Sequence, residues 1–260
     1  MARLGILTLH GMGNVGPDFD KALQEELRQR WSSSISDDIA FQSLHYHPAM
    51  QGKQEETLER MNDAHRLGWD KLRAFFIYAF SDATTYHLFP EKSDSVYQEV
   101  HRIIKHGVEN LQQQLESPDN PIVIIAQSLG AQVISNYIWD IKPRKGIWQT
   151  EAPSDIHQLK NLKLMITTGC NIPIFVAGLK TITPIDKPHD DFRWLNFFDE
   201  DDVLGWPLKP LSEGYRKLVE DRPIQAGPTP FSHARYWSDR DFLNPAAIQI
   251  EDLYKQHFNE

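Results

Sequence analysis

Ser128 stands where two residue patterns meet. Before it runs Ile122-Val-Ile-Ile-Ala-Gln127, a short apolar, β-favouring stretch; after it Leu129, Val133, Ile134, Tyr137, Ile138 and Ile141 recur at helical spacing. Ala126 and Gly130, both small, flank the serine two positions to either side. A strand turning sharply into a helix holds the intervening hydroxyl at the tip of the turn, above the sheet edge. The small neighbours let strand and helix approach closely. The helix end adds unsatisfied N–H groups and a positive dipole end at the same place. These features favour nucleophilic attack by the serine oxygen; the plainer alternative is a β-to-α turn with a capping serine.

A serine alone attacks poorly at neutral pH. It needs a histidine to take its proton, an acid to orient that histidine, and donors for the oxyanion that develops. In open parallel sheets such groups collect at the C-terminal ends of strands. The strand-like stretch 192–198 runs into four carboxylates, Asp199, Glu200, Asp201 and Asp202. Only His233 and His257 follow them. His257 falls near the end of a helix, and His233 falls in a loop after a weak strand near Pro223–Ala226. Leu129, directly after the serine, offers one backbone N–H to an oxyanion, and an early loop is expected to supply another.

The elements that must position these groups can be read in order. Leu4–Leu9 reads as a buried strand leading into His10-Gly11-Met12-Gly13-Asn14-Val15-Gly16. Asp18 is placed to cap a helix carrying Phe19, Leu23, Leu27 and Trp31. Residues 39–47 alternate like a second strand. The stretch 69–90 is aromatic (Trp69, Phe75, Phe76, Tyr78, Phe80, Tyr86, Phe89), which predicts either a buried helix or a lid. A helix is expected over 95–116, a strand over 162–168, and an apolar, proline-punctuated wall over 169–188. Asn244-Pro245 is expected to open a C-terminal helix. Strands alternating with helices predict an α/β fold, a mainly parallel doubly wound sheet with helices on both faces. One domain over 1–260 is the simplest account, with 50–118 as a helical segment that could form a cap.

Composition excludes several classes. The chain has 260 residues, 40% hydrophobic and 11% aromatic, enough for a sizeable core and against disorder. A net charge of −9 without a Lys/Arg run argues against nucleic acid or an anionic membrane surface as partner. The single Cys170 allows no internal disulfide. No stretch reaches the roughly eighteen apolar residues of a membrane span. The N-terminal run lacks a small-residue cleavage site, so a cytoplasmic protein is expected.

Three stretches, LTLHGMG, IIAQSLGA and NFFDEDDVLGWPL with SHARYW downstream, resemble the α/β-hydrolase superfamily, in particular its lipases and esterases. The resemblance implies a D-x-V acid, which falls on Asp201 before Asp202 and Val203, with Asp199 and Asp202 competing. It implies His233 as base and an HG motif at His10-Gly11, making Met12 N–H the second oxyanion donor beside Leu129, with Gly130 as the close-packing glycine after Ser128. The order Ser128, Asp201, His233 is that of these hydrolases. The elbow reads A-x-S-x-G rather than G-x-S-x-G, a tolerated departure. The implied activity is cleavage of a carboxylic ester with an apolar acyl or aryl group through an acyl-enzyme, without cofactor. Thioester cleavage or acyl transfer would use the same residues.

Other readings compete. Gly11, Gly13 and Gly16 spell the G-x-G-x-x-G of dinucleotide-binding turns. Against it, the second strand ends in Leu44-His-Tyr-His47 with no carboxylate for a ribose, and Asp18 would set negative charge near a pyrophosphate. His45 and His47 share a strand face, but no third metal ligand is evident. A hydrolase-shaped binding module without catalysis is the remaining alternative.

Overall fold

The structure, a computed structural model, describes residues 1–13, 15–50, 54–64, 70–87, 90–227 and 232–258; within 54–87 it describes the side chains of 54, 56–62, 77–78 and 81–87. The strands β1 Leu4–Leu9, β2 Ile39–Leu44, β3 Ile122–Gln127, β4 Leu162–Thr168, β5 Arg193–Asp199 and β6 Val219–Ile224 form one sheet in the order β2-β1-β3-β4-β5-β6. Every neighbouring pair is parallel. The helices are α1 Lys21–Arg28, α2 Ser33–Asp37, α3 His47–Met50, α4 Gln54–Ala64, α5 Asp70–His87, α6 Val96–Gln114, α7 Leu129–Ile141, α8 Ile172–Val176, α9 Glu213–Leu218 and α10 Arg240–Phe258. None of the described helices is long and apolar enough to cross a membrane.

The unbroken apolar run of β3 follows from cover on both faces. Val123 and Ile125 enter a layer with Leu23 and Leu27 of α1 and Phe242 and Ile250 of α10. Ile124 and Ala126 enter the other layer, with Val100 and Ile104 of α6 and Val133 and Tyr137 of α7. Each fully buried aliphatic side chain contributes about 1.5–3 kcal/mol, so β3 is among the firmest supports the sheet can offer. The chain passes from β1 to β2 on one side and then crosses to β3 on the other. That reversal opens a crevice at the C-terminal ends of β1 and β3, where open parallel sheets bind ligands.

Several boundaries differ from the sequence expectation. Asp18 does not cap α1. The helix starts at Lys21, and the preceding Asp20 is buried and accepts hydrogen bonds from Thr8 and Ser43, tying β1 to β2. The last strand lies at Val219–Ile224, slightly earlier than expected. Its Pro223 is tolerated because β6 is an edge strand. α10 begins at Arg240 rather than at Asn244-Pro245. Burial of Phe242 and Leu243 favours the extra turn, although Pro245 has no N–H to give inside it. The aromatic segment forms helix α5, but the side chains of Trp69, Phe75, Phe76, Phe80 and Phe89, on which the lid expectation rested, lie outside the described residues. Tyr86 is buried against Tyr97 and His101.

Candidate active site

Ser128 sits between β3 and α7 with φ 51° and ψ −120°, a conformation an L-residue adopts at a cost of about 1–3 kcal/mol. Two backbone bonds hold it there: Ser128 N–H donates to Thr168 O at 2.9 Å, and Ser128 O accepts Ala131 N–H at 3.0 Å. Gly130 makes the turn possible. A Cβ there would lie 2.6 Å from His10 O and 2.9 Å from Leu9 O, so helix and neighbouring strand end touch through backbone alone. Leu129 is the first residue of α7, where helix geometry leaves its N–H without an intrahelical acceptor.

The loop after β1 closes over the same point. Gly11 packs on the serine so tightly that a Cβ would stand 2.9 Å from Ser128 Cβ. His10 shapes the loop. Its Nδ1–H donates to Gly11 O at 2.7 Å, its Nε2 accepts Tyr46 N–H at 3.3 Å, and its ring stacks on Tyr46 with centroids 4.0 Å apart. Burial pushes the His10 pKa down to about 3, so the ring is neutral and serves as a hydrogen-bonded brace. Gly13, at φ 102°, donates its N–H to the buried Asp82 of α5 at 3.1 Å. Met12 lies between these two fixed glycines, and its Sδ faces Asn171 at 4.0 Å.

His233 lies in a short 3₁₀ turn, Ser232–Ala234, whose His233 O accepts the Gln127 amide at 2.8 Å. Its Nε2 is 2.9 Å from Ser128 Oγ. Its Nδ1 is 2.8 Å from Asp202 Oδ2. The structure thus brings Ser128, His233 and Asp202 into one hydrogen-bonded chain. It does not bring Asp201 there: that residue is exposed, and its N–H donates to Asp199 Oδ1 at 2.9 Å.

The turn at the end of β5 explains the difference. Asp199 points inward and accepts Asp201 N–H and, at 2.7 Å, Ala226 N–H. Asp202 N–H closes the turn on Asp199 O at 3.0 Å, directing residue 201 outward and 202 inward. Val203, the valine of the presumed D-x-V spacing, is 76% exposed. Asp202 is further held by Leu204 N–H at 3.0 Å and Tyr236 O–H at 2.9 Å. Burial works to raise its pKa, but hydrogen bonds and charge from His233, with the bonds from Leu204 and Tyr236, outweigh that and leave it below the usual carboxylate range. Gly169, at φ 52°, leaves room for the cluster, since a Cβ there would meet Tyr236 at 2.8 Å and His233 Nδ1 at 3.1 Å.

Asn171 escaped the sequence reading. It lies three residues past the end of β4, is 1% exposed, and its Nδ2 lies 3.4 Å from Ser128 Oγ. The only sequence signal is its place just past the strand next to β3. The next residue, Ile172, lines a cavity of about 400 Å³. Gln132, Ser135, Asn136 and Trp139 line it from α7 at helical spacing, starting one turn beyond the serine, and Ile172, Phe175 and Val176 line it from α8.

The competing motifs have other uses. α1 begins only at Lys21, and a Cβ on Gly13 or Gly16 would meet nothing within 4 Å. The G-x-G-x-x-G spelling is therefore not built as a strand–turn–helix with close backbone approach. His45 Nε2 pairs with Val15 O at 2.7 Å. Among the described residues no group of three His, Cys, Asp or Glu side chains is arranged to hold a metal ion.

No family model matches the chain, and no curated protein matches it. Solved structures do. The crystal structure of esterase PE8 superposes with a TM-score of 0.51 at 14% identity, covering 96% of this chain and 93% of that one. An acetylxylan esterase gives a TM-score of 0.47 at 11% identity over 96% and 98%. A hormone-sensitive lipase from a metagenome library gives 0.47 at 13% over 97% and 76%. At such identities the likeness concerns architecture. The likeness to the first of these, together with the all-parallel strand order, shows that the chain has the α/β-hydrolase fold.

Proposed function

We propose that the protein is a serine hydrolase that cleaves carboxylic esters through an acyl-enzyme. The observation that carries this reading is the chain Ser128 Oγ–His233 Nε2 at 2.9 Å and His233 Nδ1–Asp202 Oδ2 at 2.8 Å, built on a strained turn at the sheet's switch point. In this reading Ser128 Oγ attacks the acyl carbonyl while His233 Nε2 takes its proton. Asp202 keeps the Nδ1–H tautomer and stabilises the imidazolium. The N–H groups of Leu129 and Met12 receive the oxyanion; one such donor is worth about two to three powers of ten in rate. His233 returns its proton to the leaving alcohol, and water then releases the acid by the same route in reverse. None of these steps calls on a cofactor.

The cavity whose lining begins at Gln132, one turn of α7 beyond the serine, supports a substrate of mixed character. Apolar Ile172, Phe175 and Val176 suit an acyl or aryl group, and the amides and hydroxyl of Gln132, Asn136 and Ser135 suit hydrogen-bonding substituents on the same molecule. The second reading, a hydrolase-shaped binding module, draws on one observation: Ser128 is 0% exposed. Turnover of p-nitrophenyl esters of rising acyl length separates the two. The proposal expects turnover with a burst of nitrophenol, reduced to background in Ser128→Ala. Turnover absent from every ester, or unchanged in Ser128→Ala, rejects it.

A further inference from the structure

The mechanism above leaves Asn171 unused, yet no other side-chain amide of the described residues reaches Ser128 Oγ. Its surroundings are unusual for a structural residue. It is 1% exposed, and among the described residues its Nδ2 makes only two long contacts, 3.4 Å to Ser128 Oγ and 4.0 Å to Met12 Sδ, and its Oδ1 has no partner. A buried amide with both ends poorly used is costly, and an apolar side chain of similar size would be cheaper at this place. Bonds that are long in the resting enzyme and tighten during reaction are a known feature of groups that act on the transition state.

The proton count at Ser128 fixes which end of the amide faces the serine. The hydroxyl has one proton, and it points to His233 Nε2 at 2.9 Å. What remains on Oγ is lone pairs, so the neighbour on the other side must be a donor, and the Nδ2 end meets that need.

Resting on the serine-hydrolase reading, we propose that Asn171 is a further catalytic residue, whose amide N–H stabilises the negative charge that grows on Ser128 Oγ as His233 withdraws the proton. As the Oγ–carbon bond forms, charge leaves Oγ for the former carbonyl oxygen, and Oγ becomes a weak acceptor. No atom is transferred to or from Asn171; it remains a neutral amide throughout.

The test compares wild type with Asn171→Ala and the nearly isosteric Asn171→Asp, reading fluorophosphonate labelling rate, kcat and KM on a p-nitrophenyl ester, and thermal midpoint. For Asn171→Ala the proposal expects labelling rate and kcat to fall about 10- to 100-fold, with KM within about threefold and a thermal midpoint unchanged or raised. For Asn171→Asp it expects a greater loss than for Ala, because a carboxylate turns an acceptor and a negative charge toward the oxygen that must become negative. A purely structural role lowers the midpoint in both variants, more in Asp because it buries an unpaired charge, and leaves the folded Ala protein labelling near the wild-type rate. An Asn171→Ala protein that labels within twofold of wild type overturns the proposal. A wild type that takes no label overturns the serine-hydrolase reading itself, and this assignment with it.

Discussion

At the edge of the sheet, His233 Nδ1 lies 2.8 Å from Asp202 Oδ2, and that carboxylate also accepts Tyr236 O–H at 2.9 Å and Leu204 N–H at 3.0 Å. Between α6 and α7, His101 Nδ1 stands 3.9 Å from Asp140 Oδ2, beyond hydrogen-bond reach. There Tyr97 O–H takes the carboxylate at 2.7 Å, and Tyr86 O–H pairs with His101 Nε2 at 2.9 Å. Both clusters contain a histidine, an aspartate and tyrosine hydroxyls, and both aspartates are buried. The two carboxyl groups are shifted in opposite directions. Burial pushes Asp140 up to about 6 and His101 down to about 3. At Asp202 the same burial is outweighed by donors, and its pKa lies below normal. Three donors aimed at one carboxylate make a charge that can hold an imidazolium; one donor and a distant ring make a packed polar core.

Removing each aspartate's charge breaks the comparison most sharply. Asp202→Asn is expected to lower kcat on a p-nitrophenyl ester by about four powers of ten, through loss of the correct imidazole tautomer. Asp201→Asn, a change to an exposed residue, is expected to leave it within about twofold. If the two results are exchanged, the assignment of the acid is wrong.

Asp140→Asn is expected to leave kcat unchanged and to raise stability at pH 7. The sign follows from its folded-state pKa of about 6, which lies above the unfolded value near 3.8. A raised carboxylate pKa costs stability progressively as pH climbs from about 4 to 6, and the cost persists above. Two units correspond to about 3 kcal/mol. Urea denaturation at pH 4 and pH 7 should show the variant's advantage growing over that window; equal stabilities at pH 7 would contradict the environment assigned to Asp140. Asp202, with a depressed pKa, runs the other way. Its contribution to stability is present at neutral pH and lost as pH falls, so Asp202→Asn should be the less stable protein at pH 7, with the gap closing in acid.

A smaller loss of activity than that of Asp202→Asn is expected for Tyr236→Phe. It removes one of the donors to Asp202, a charged hydrogen bond worth about 1.5–3 kcal/mol, part of which water entering the site can replace. A fall of about tenfold in kcat/KM is expected. Tyr97→Phe, the corresponding change at Asp140, should lower stability and leave kcat alone. Equal activity losses in the two variants would erase the distinction between the clusters.

What was legible in the sequence was whatever depends on near neighbours in the chain. The apolar run Ile122–Ala126, the small Gly130 and the helical recurrence after Leu129 are each local, and the structure puts a strand, a close approach and a helix there. The six-stranded parallel sheet follows from the same alternation. The carboxylate paired with His233 could not be fixed locally. Four carboxylates crowd the end of β5, and which one turns inward depends on Asp199 accepting N–H groups from residues 201 and 226. A motif spacing chose Asp201, but the valine it relied on faces solvent. Asn171 was hidden for a related reason: its meaning arises only when β4 docks beside β3. The start of α10 was set by burial of Phe242 and Leu243 in the far layer, which Asn244-Pro245 did not announce.

The central claim is that Ser128 is a nucleophile activated by His233. The most direct measurement is intact-mass and peptide analysis after treatment with a fluorophosphonate. The account predicts one stoichiometric adduct, located on Ser128, absent from Ser128→Ala and formed at least a hundredfold more slowly in His233→Ala (on the order of a general base's share of the rate). An unmodified wild type, or an adduct that persists in Ser128→Ala, would contradict it.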